Sequence, residues 1–277
     1  MRQVHELRTR TAWRLLRGGL IRRVCSIGVA LCLSLLPATV GHAAPAGAKA
    51  RIAFVGDSLA QNYWDGVTRL IATDPCLKRN VDLGRFGRPA TGLANSAYFN
   101  WLREIKRVED TYNPTVTVIT IGLNDRQGII DPKGAPIVWG APNWADKYRE
   151  QIREFLNGAV ANKAIVLFVG LPVMRDGYFN ADMAAKNAMY AEAVARIGAP
   201  HVRYVEPWKL HASGPETYSV YAPDRTGRPV QIRSADGVHF TNDGDDLLAR
   251  YLLPKIVGAL SDAGIMVDLC LRAQIEP

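Results

Sequence analysis

Short segments rich in Val and Ile alternate with longer helical stretches through most of the chain beyond residue 50. Segments 114–121 (PTVTVITI) and 164–169 (AIVLFV) contain no charged residue. Strands of this kind are buried on both faces, which is typical of a parallel sheet covered by helices. The pattern therefore predicts an α/β fold: a three-layer αβα sandwich around a five-stranded parallel sheet.

Five strands and five helices account for most of this body. The predicted strands are residues 51–56, 80–86, 114–121, 164–169 and 201–205. The predicted helices are residues 62–72, 98–110, 143–161, 180–197 and 242–260. Residues 126–142 are rich in Pro and Gly and are predicted to form a long loop, whereas 217–233 are predicted to form a β-hairpin that turns at 224–227. Long loops in compact domains are more often functional than idle.

The positive charge of the chain is concentrated at its N-terminus. Residues 1–43 hold seven of the 34 Lys and Arg residues but only one of the 26 Asp and Glu residues. The rest of the chain is left with 27 basic and 25 acidic residues, so its formal charge is close to neutral. A near-neutral body gives no electrostatic reason to expect a nucleic-acid partner.

The N-terminus has the order of a secretory signal peptide. Its Arg-rich start is followed by an uncharged apolar run at 24–40 and then by small residues that would allow cleavage after Ala43. We therefore predict a signal peptide at 1–43, a linker at 44–50, one domain at 51–277, and a periplasmic or secreted protein. An uncleaved anchor is the alternative, although 17 apolar residues are short for a span of about 20. The membrane is a partner only if this segment is retained.

Cysteine placement follows the same division of the chain. Cys25 and Cys32 lie in the predicted signal peptide, which leaves Cys76 and Cys270 in the exported domain. An even pair of cysteines in an oxidising compartment favours a disulfide. Two buried free thiols are the alternative.

Polar residues that could take part in a reaction follow the predicted strands. In an open parallel sheet, ligands bind at these strand ends. The segments at these strand ends are Gly56-Asp57-Ser58-Leu59, Thr91-Gly92-Leu93, Gly122-Leu123-Asn124-Asp125 and Asp236-Gly237-Val238-His239. They are far apart in sequence, but the predicted fold would bring them to one edge of the sheet. Asp57 and Asp125 are interpreted as turn or cap acceptors rather than as catalytic groups.

Together these segments contain the parts needed for nucleophilic acyl transfer. A serine hydroxyl needs a base, and His239 could take the proton of Ser58 while Asp236 orients the imidazole ring. The backbone N–H groups of Ser58 and Gly92 and the side-chain amide of Asn124 could donate to the oxyanion of the tetrahedral intermediate.

In content and order, these blocks resemble those of the SGNH or GDSL hydrolase superfamily over about residues 51–262. The second block is the least specific: Gly92 matches it, with Gly87 as the alternative. The run 124–127 and the turn 170–172 are similar to those of an exported bacterial subgroup of uncharacterised function. The resemblance implies a flavodoxin-like sandwich and ester chemistry without a metal or other cofactor. His201, His211 and His239 also lack the spacing of metal ligands.

These observations predict an exported serine esterase that hydrolyses O-acyl esters, above all O-acetyl esters, with an acylated small molecule or glycan as its substrate. A periplasmic O-acyltransferase with the same triad is the alternative, and a non-catalytic glycan-binding module is a third. Trp139 is the best candidate for stacking on a sugar because its loop follows Asn124.

Overall fold

The computed structural model describes residues 49–130, 135–209, 217–267 and 270. The predicted signal peptide, residues 44–48 of the predicted linker and His211 lie outside these ranges. The strands are β1 (Ala50–Gly56), β2 (Val81–Gly87), β3 (Val116–Thr120), β4 (Ile165–Val169), β5 (Val202–Val205), β6 (Tyr221–Pro223) and β7 (Pro229–Gln231). The helices are α1 (Ser58–Ala72), α2 (Pro75–Asn80), α3 (Trp101–Tyr112), α4 (Trp144–Ala159), α5 (Gly177–Ile197) and α6 (Asn242–Asp262). In the described part of the chain, no helix has both the length and the apolar character needed to cross a membrane.

Strands β1 to β5 form one parallel sheet in the order β2-β1-β3-β4-β5. Every residue of β3 and β4 is buried, as their uncharged sequences predict. Helix α1 packs on α6, while α4 packs on both α3 and α5. The predicted α/β sandwich with five parallel strands is therefore confirmed, and the carboxyl ends of all five strands lie along one edge.

The largest errors of the sequence prediction lie at helix starts. Helix α1 begins at Ser58, four residues earlier than predicted, because the carboxylate of Asp57 caps it by accepting the N–H of Leu59 at 3.0 Å. The short helix α2 was not predicted at all. It is capped by Asp74 in the same way, and Pro75 occupies its first turn.

The hairpin predicted at 217–233 is present. Strands β6 and β7 pair antiparallel, with Ala222 opposite Val230. The carboxylate of Asp224 closes the turn between them by accepting the N–H groups of Thr226 and Arg228 at 2.8 and 3.0 Å. This arrangement confirms a turn in the predicted position.

A disulfide joins Cys76 in α2 to Cys270, beyond the end of α6, with the two Cα atoms 5.4 Å apart. The predicted disulfide is thus confirmed, and the alternative of two free thiols is wrong. The backbone N–H of Cys270 also lies 3.4 Å from a carboxylate oxygen of Asp74. The bond therefore ties the segment after α6 to α2, across 194 residues of sequence.

We expect reduction of this disulfide to lower the thermal stability of the protein without abolishing its fold, because the large core of the sheet remains. The cost should not exceed about 4–5 kcal/mol, since a crosslink restricts the unfolded chain more as its loop lengthens. Thermal unfolding with and without reductant measures the effect. Under denaturing conditions, alkylation of Cys76 or Cys270 before any reductant is added would contradict the disulfide.

Glu109 on α3 is a buried carboxyl group with one oxygen unused. Its Oε1 accepts a hydrogen bond from the hydroxyl of Thr117 at 2.8 Å, whereas Oε2 has no hydrogen-bond partner among the described residues. Burial raises the pKa of Glu109 from about 4.5 to about 7, although the hydrogen bond from Thr117 opposes this shift. The folded protein therefore retains this proton at pH values where the unfolded chain has lost it.

This pKa difference predicts that stability decreases as the pH rises from about 4.5 to about 7, because the folded state binds more protons over that window. Glu109→Gln should remove this part of the pH dependence and stabilise the protein at pH 8 by an amount of the order of 1–3 kcal/mol. Denaturant unfolding at pH 5 and pH 8 tests it, with the exposed Glu154→Gln as the matched control. A Glu109→Gln variant with an unchanged pH slope would contradict the prediction.

Candidate active site

The turn between β1 and α1 places Ser58 at the carboxyl edge of the sheet. Gly56 ends β1 with φ at +142°, and a β-carbon there would overlap the carbonyl oxygen of Thr120. Only glycine allows this approach, which brings the turn close to the end of β3. Ser58 is the first residue of α1, so its backbone N–H lies at the positive end of the helix dipole.

The side chains of Ser58, His239 and Asp236 are joined by a chain of hydrogen bonds. Ser58 Oγ lies 2.7 Å from His239 Nε2, and His239 Nδ1 lies 2.6 Å from Asp236 Oδ2. The other carboxylate oxygen of Asp236 accepts the N–H groups of Val238 and His239 at 2.8 and 3.0 Å. The structure thus brings together three predicted residues, two of which are separated by 181 positions.

The low pKa of Asp236 allows this residue to stabilise a positively charged imidazole ring. Desolvation by burial would raise the pKa of Asp236, but hydrogen bonds from the His239 ring and from two backbone N–H groups outweigh it and hold the pKa at about 2. Asp236 is therefore ionised at neutral pH. An ionised carboxylate on Nδ1 stabilises positive charge on the ring when Nε2 takes a proton.

Arg233 supports the segment from Asp236 to His239 from the protein interior. It was not identified from the sequence. Its guanidinium is buried, donates to the carbonyl oxygen of Val238 at 2.8 Å, and lies near the rings of Tyr218 and Phe240, 5.0 and 4.2 Å from their centroids. Burial lowers the pKa of Arg233 to about 10, so the group stays charged at neutral pH. Its position at the end of the predicted hairpin was the only available sequence signal.

Asp57 links the serine turn to the segment after β3. Its Oδ2 accepts the backbone N–H groups of Gly122 and Leu123, both at 2.9 Å, while its other oxygen caps α1. Burial raises the pKa of Asp57 to about 7, although these backbone donors favour the ionised form. The interpretation of Asp57 as a cap and turn acceptor is confirmed.

Asp125 performs the same task for the segment after β2. Its two oxygens accept the N–H groups of Leu93 and Ala94 at 2.8 and 2.9 Å, and the hydroxyl of Tyr148 at 2.7 Å. The hydroxyl of Tyr190 lies 3.0 Å from that of Tyr148 and extends the network into α5. Asp125 is buried, and its hydrogen bonds hold the 91–94 segment in place.

Asn124 is oriented by a hydrogen bond from its side-chain amide to the carbonyl oxygen of Thr91 at 2.9 Å. The C=O of Thr91 and the N–H of Gly92 belong to one peptide and point in opposite directions. The carbonyl that accepts from the Asn124 amide therefore belongs to the same peptide as the N–H of Gly92, the predicted oxyanion donor. Gly87, the alternative, pairs with Gly56 in the sheet, and its carbonyl oxygen accepts from Gln61 at 2.9 Å.

Gly92 is required for a different reason. A β-carbon at Gly92 would overlap the carboxylate of Asp125, and the residue does not need a positive φ. The choice between Gly92 and Gly87 as a third oxyanion donor stays a prediction.

The predicted sugar platform at Trp139 is partly buried and packs against neighbouring aromatic rings. Its ring meets Trp144 edge to face at 4.4 Å, and Trp144 stacks on Tyr148 at 4.7 Å. The amino group of Lys186 lies 5.5 Å from the Trp139 ring centroid and is buried without a hydrogen-bond partner among the described residues. Burial lowers the pKa of Lys186, while Asp125 and other nearby carboxylates oppose the shift.

Within the described ranges, one set of potential metal ligands clusters closely: Asp74, Cys76 and Cys270. The two sulfur atoms are bonded to each other, so this set offers no thiolate to a metal.

Residues 51–255 match a family model described as protein of unknown function DUF459. No curated protein matches the chain. Similar solved structures include a carbohydrate esterase family 3 from Talaromyces cellulolyticus, which is 17% identical, with coverage of 77% of this chain and 99% of that one and a TM-score of 0.52. A Clostridium thermocellum family 3 carbohydrate esterase is 15% identical, with coverage of 78% and 100% and a TM-score of 0.50.

An acetyl esterase variant with acetate ion is also similar, at 15% identity, with coverage of 77% of this chain and 99% of that chain and a TM-score of 0.50. Identities this low establish a shared fold and leave the activity to be argued from the site. The match to the family model covers most of the chain, including all the blocks that resemble the SGNH superfamily. The chain therefore belongs to the family of unknown function DUF459, and it has the fold of the SGNH hydrolases.

Proposed function

We propose that the protein is an exported serine esterase that hydrolyses O-acyl esters, above all O-acetyl esters, on a glycan of the cell envelope or outside the cell. The observation that carries this proposal is the pair of hydrogen bonds through His239. Ser58 Oγ lies 2.7 Å from His239 Nε2, and His239 Nδ1 lies 2.6 Å from Asp236. Both distances lie within the range for proton transfer. A serine hydroxyl with such a base and an orienting carboxylate is an activated nucleophile.

In the first half of the reaction, Ser58 Oγ attacks the ester carbonyl carbon while its proton moves to His239 Nε2. The carbonyl π electrons move to the oxygen, and Asp236 stabilises the imidazolium ring. The intermediate then collapses, the bond to the alcohol oxygen breaks, and His239 returns its proton to the leaving alcohol. In the second half, His239 takes a proton from water, the hydroxide attacks the acyl-Ser58, and Ser58 recovers its proton as the acid leaves.

Two groups are positioned to stabilise the oxyanion of this intermediate. The N–H of Ser58 lies at the N-terminus of α1, where the helix dipole favours negative charge. The Asn124 amide has two N–H bonds, and its bond to Thr91 fixes the orientation that leaves the second for the oxyanion. Gly92 or Gly87 would be a third donor.

The proposed substrate and location have separate support. Solved proteins with this fold include carbohydrate esterases from Talaromyces cellulolyticus and Clostridium thermocellum. A disulfide between Cys76 and Cys270 suits an oxidising compartment such as the periplasm. The mechanism requires no metal or cofactor, and its partner is an acylated small molecule or glycan. Nucleic acid is not a proposed partner, and the membrane is one only if residues 1–43 are retained.

A fluorophosphonate probe tests the proposed nucleophile directly. Intact-mass analysis should show one adduct on the wild type and none on Ser58→Ala, because only an activated serine reacts with this reagent. Hydrolysis of 4-nitrophenyl acetate should fall at least about 10³-fold in Ser58→Ala and His239→Ala, with circular dichroism unchanged. Ser261→Ala, an exposed serine on α6, is the matched control and should behave as the wild type.

An adduct on Ser58→Ala, or undiminished turnover in either triad variant, would refute the proposed triad. Product analysis with an added glycan then separates hydrolysis from transfer. Acetate as the product supports the esterase, whereas acetylation of the glycan hydroxyls would replace it with the acyltransferase alternative.

Asp125→Asn tests the buried support of the oxyanion site. The carboxylate faces three donors, so an amide would point its own NH₂ group at one of them and displace the 91–94 segment. We expect kcat for 4-nitrophenyl acetate to fall at least about tenfold and the protein to lose about 1–3 kcal/mol of stability. Asp110→Asn on the exposed face of α3 is the control. Full activity in Asp125→Asn would show that this network does not position the site.

A further inference from the structure

Three exposed arginines follow three strands of the sheet, β2, β3 and β4, at the edge that holds Ser58. Arg88 directly follows β2, Arg126 comes two residues after Asn124 beyond β3, and Arg175 lies in the segment after β4. Because these strands are parallel and adjacent to β1 or to each other, their carboxyl ends share one side of the sheet.

Arg175 is in direct contact with the loop that joins Asp236 to His239. Its backbone N–H donates to the carbonyl oxygen of Gly237 at 3.1 Å. Gly237 has φ at +75°, and a β-carbon there would lie 2.6 Å from Arg175 Nε and 2.8 Å from Arg175 Cζ. The guanidinium therefore lies against the loop that joins Asp236 to His239.

The other two arginines are held in place by neighbours that leave N–H groups unused. Arg126 Nε forms an ion pair with Asp182 at 2.9 Å, and its side chain is still 47% exposed. The guanidinium of Arg88 lies over the ring of Phe99, with Cζ 4.5 Å from the centroid. Stacking on an aromatic ring holds the plane of a guanidinium while its edge stays free to donate hydrogen bonds.

Five acidic side chains at this edge are engaged by hydrogen bonds or ion pairs: Asp57, Asp125, Asp176, Asp182 and Asp236. Of these, only Asp182 forms an ion pair with one of the three arginines, and no carboxylate among the described residues pairs with Arg88 or Arg175.

We infer that the substrate is anionic, and that Arg175, with Arg126 and Arg88, binds a carboxylate or phosphate close to the scissile ester. This inference rests on the proposed esterase function and specifies its substrate class. The planar guanidinium fork matches the geometry of both anions. The substrate is therefore an acyl ester of an acidic sugar or of a sugar phosphate, and a neutral acetylated sugar is a poorer substrate.

The test compares kcat/KM for three acetyl esters: those of methyl glucoside, glucuronic acid and glucose 6-phosphate. The wild type should prefer one of the two anionic esters, and the preferred one identifies carboxylate or phosphate as the recognised group. Arg175→Gln should lower the ratio of anionic to neutral kcat/KM about 10- to 100-fold, the value of a hydrogen bond between charged groups. Added salt should lower the same ratio in the wild type.

Arg196→Gln is the matched control. Arg196 lies in the last turn of α5, which runs back to the opposite edge of the sheet, and its side chain is 76% exposed. This variant should keep the wild-type ratio. Equal kcat/KM for neutral and anionic esters in an active wild type, or an unchanged ratio in Arg175→Gln, would overturn the inference and leave the esterase proposal intact.

Loss of the proposed function itself has a different signature: no turnover of any ester and no fluorophosphonate adduct. Calorimetry with glucuronate, glucose 6-phosphate and glucose then decides the anion site on its own. Binding of an anion that Arg175→Gln abolishes supports the site. Failure of both anions to bind the wild type more tightly than glucose overturns it.

Discussion

A buried carboxylate at position 57 holds the site together. Asp57 has no exposed surface, and its two oxygens accept backbone N–H groups from the start of α1 and from the segment after β3. An unsatisfied group at this depth would cost several kcal/mol, so these bonds fix the two segments relative to each other. Since Ser58 follows Asp57 and Asn124 follows Leu123, one side chain sets the distance between the proposed nucleophile and a proposed oxyanion donor.

Burial separates the structural aspartates from the one that we propose to act in catalysis. Asp57 and Asp125 are buried and accept hydrogen bonds from backbone N–H groups, so their oxygens are used in positioning loops. Asp236 is about half exposed, and its bonds to His239 and to two N–H groups keep its pKa at about 2. It is therefore ionised at neutral pH and able to stabilise a charged imidazole. The positive charge of Arg175 lies next to this segment, where its side chain contacts Gly237.

Most of the fold was predictable because it depends on local patterns. Uncharged β-branched runs identified β3 and β4, and the Asp224 turn identified the hairpin. Errors arose where a single side chain shifts a boundary, as at the start of α1, or where a short helix lacks periodicity, as in α2. Arg233 and Tyr148 were missed for another reason: neither belongs to a local motif, and Tyr148 acts through Asp125, which lies 23 residues away.

The sequence by itself determined the class of fold and the residue types at the strand ends, because periodicity and strand–helix alternation are properties of neighbouring residues. It also identified Ser58, Asn124, Asp236 and His239 as candidates. Only the tertiary structure decided that Ser58 and His239 meet at 2.7 Å, that Trp139 packs against Trp144, and that the Asn124 amide donates to Thr91. These are distances and directions between segments, and they follow from how loops pack on the sheet, which no local pattern encodes.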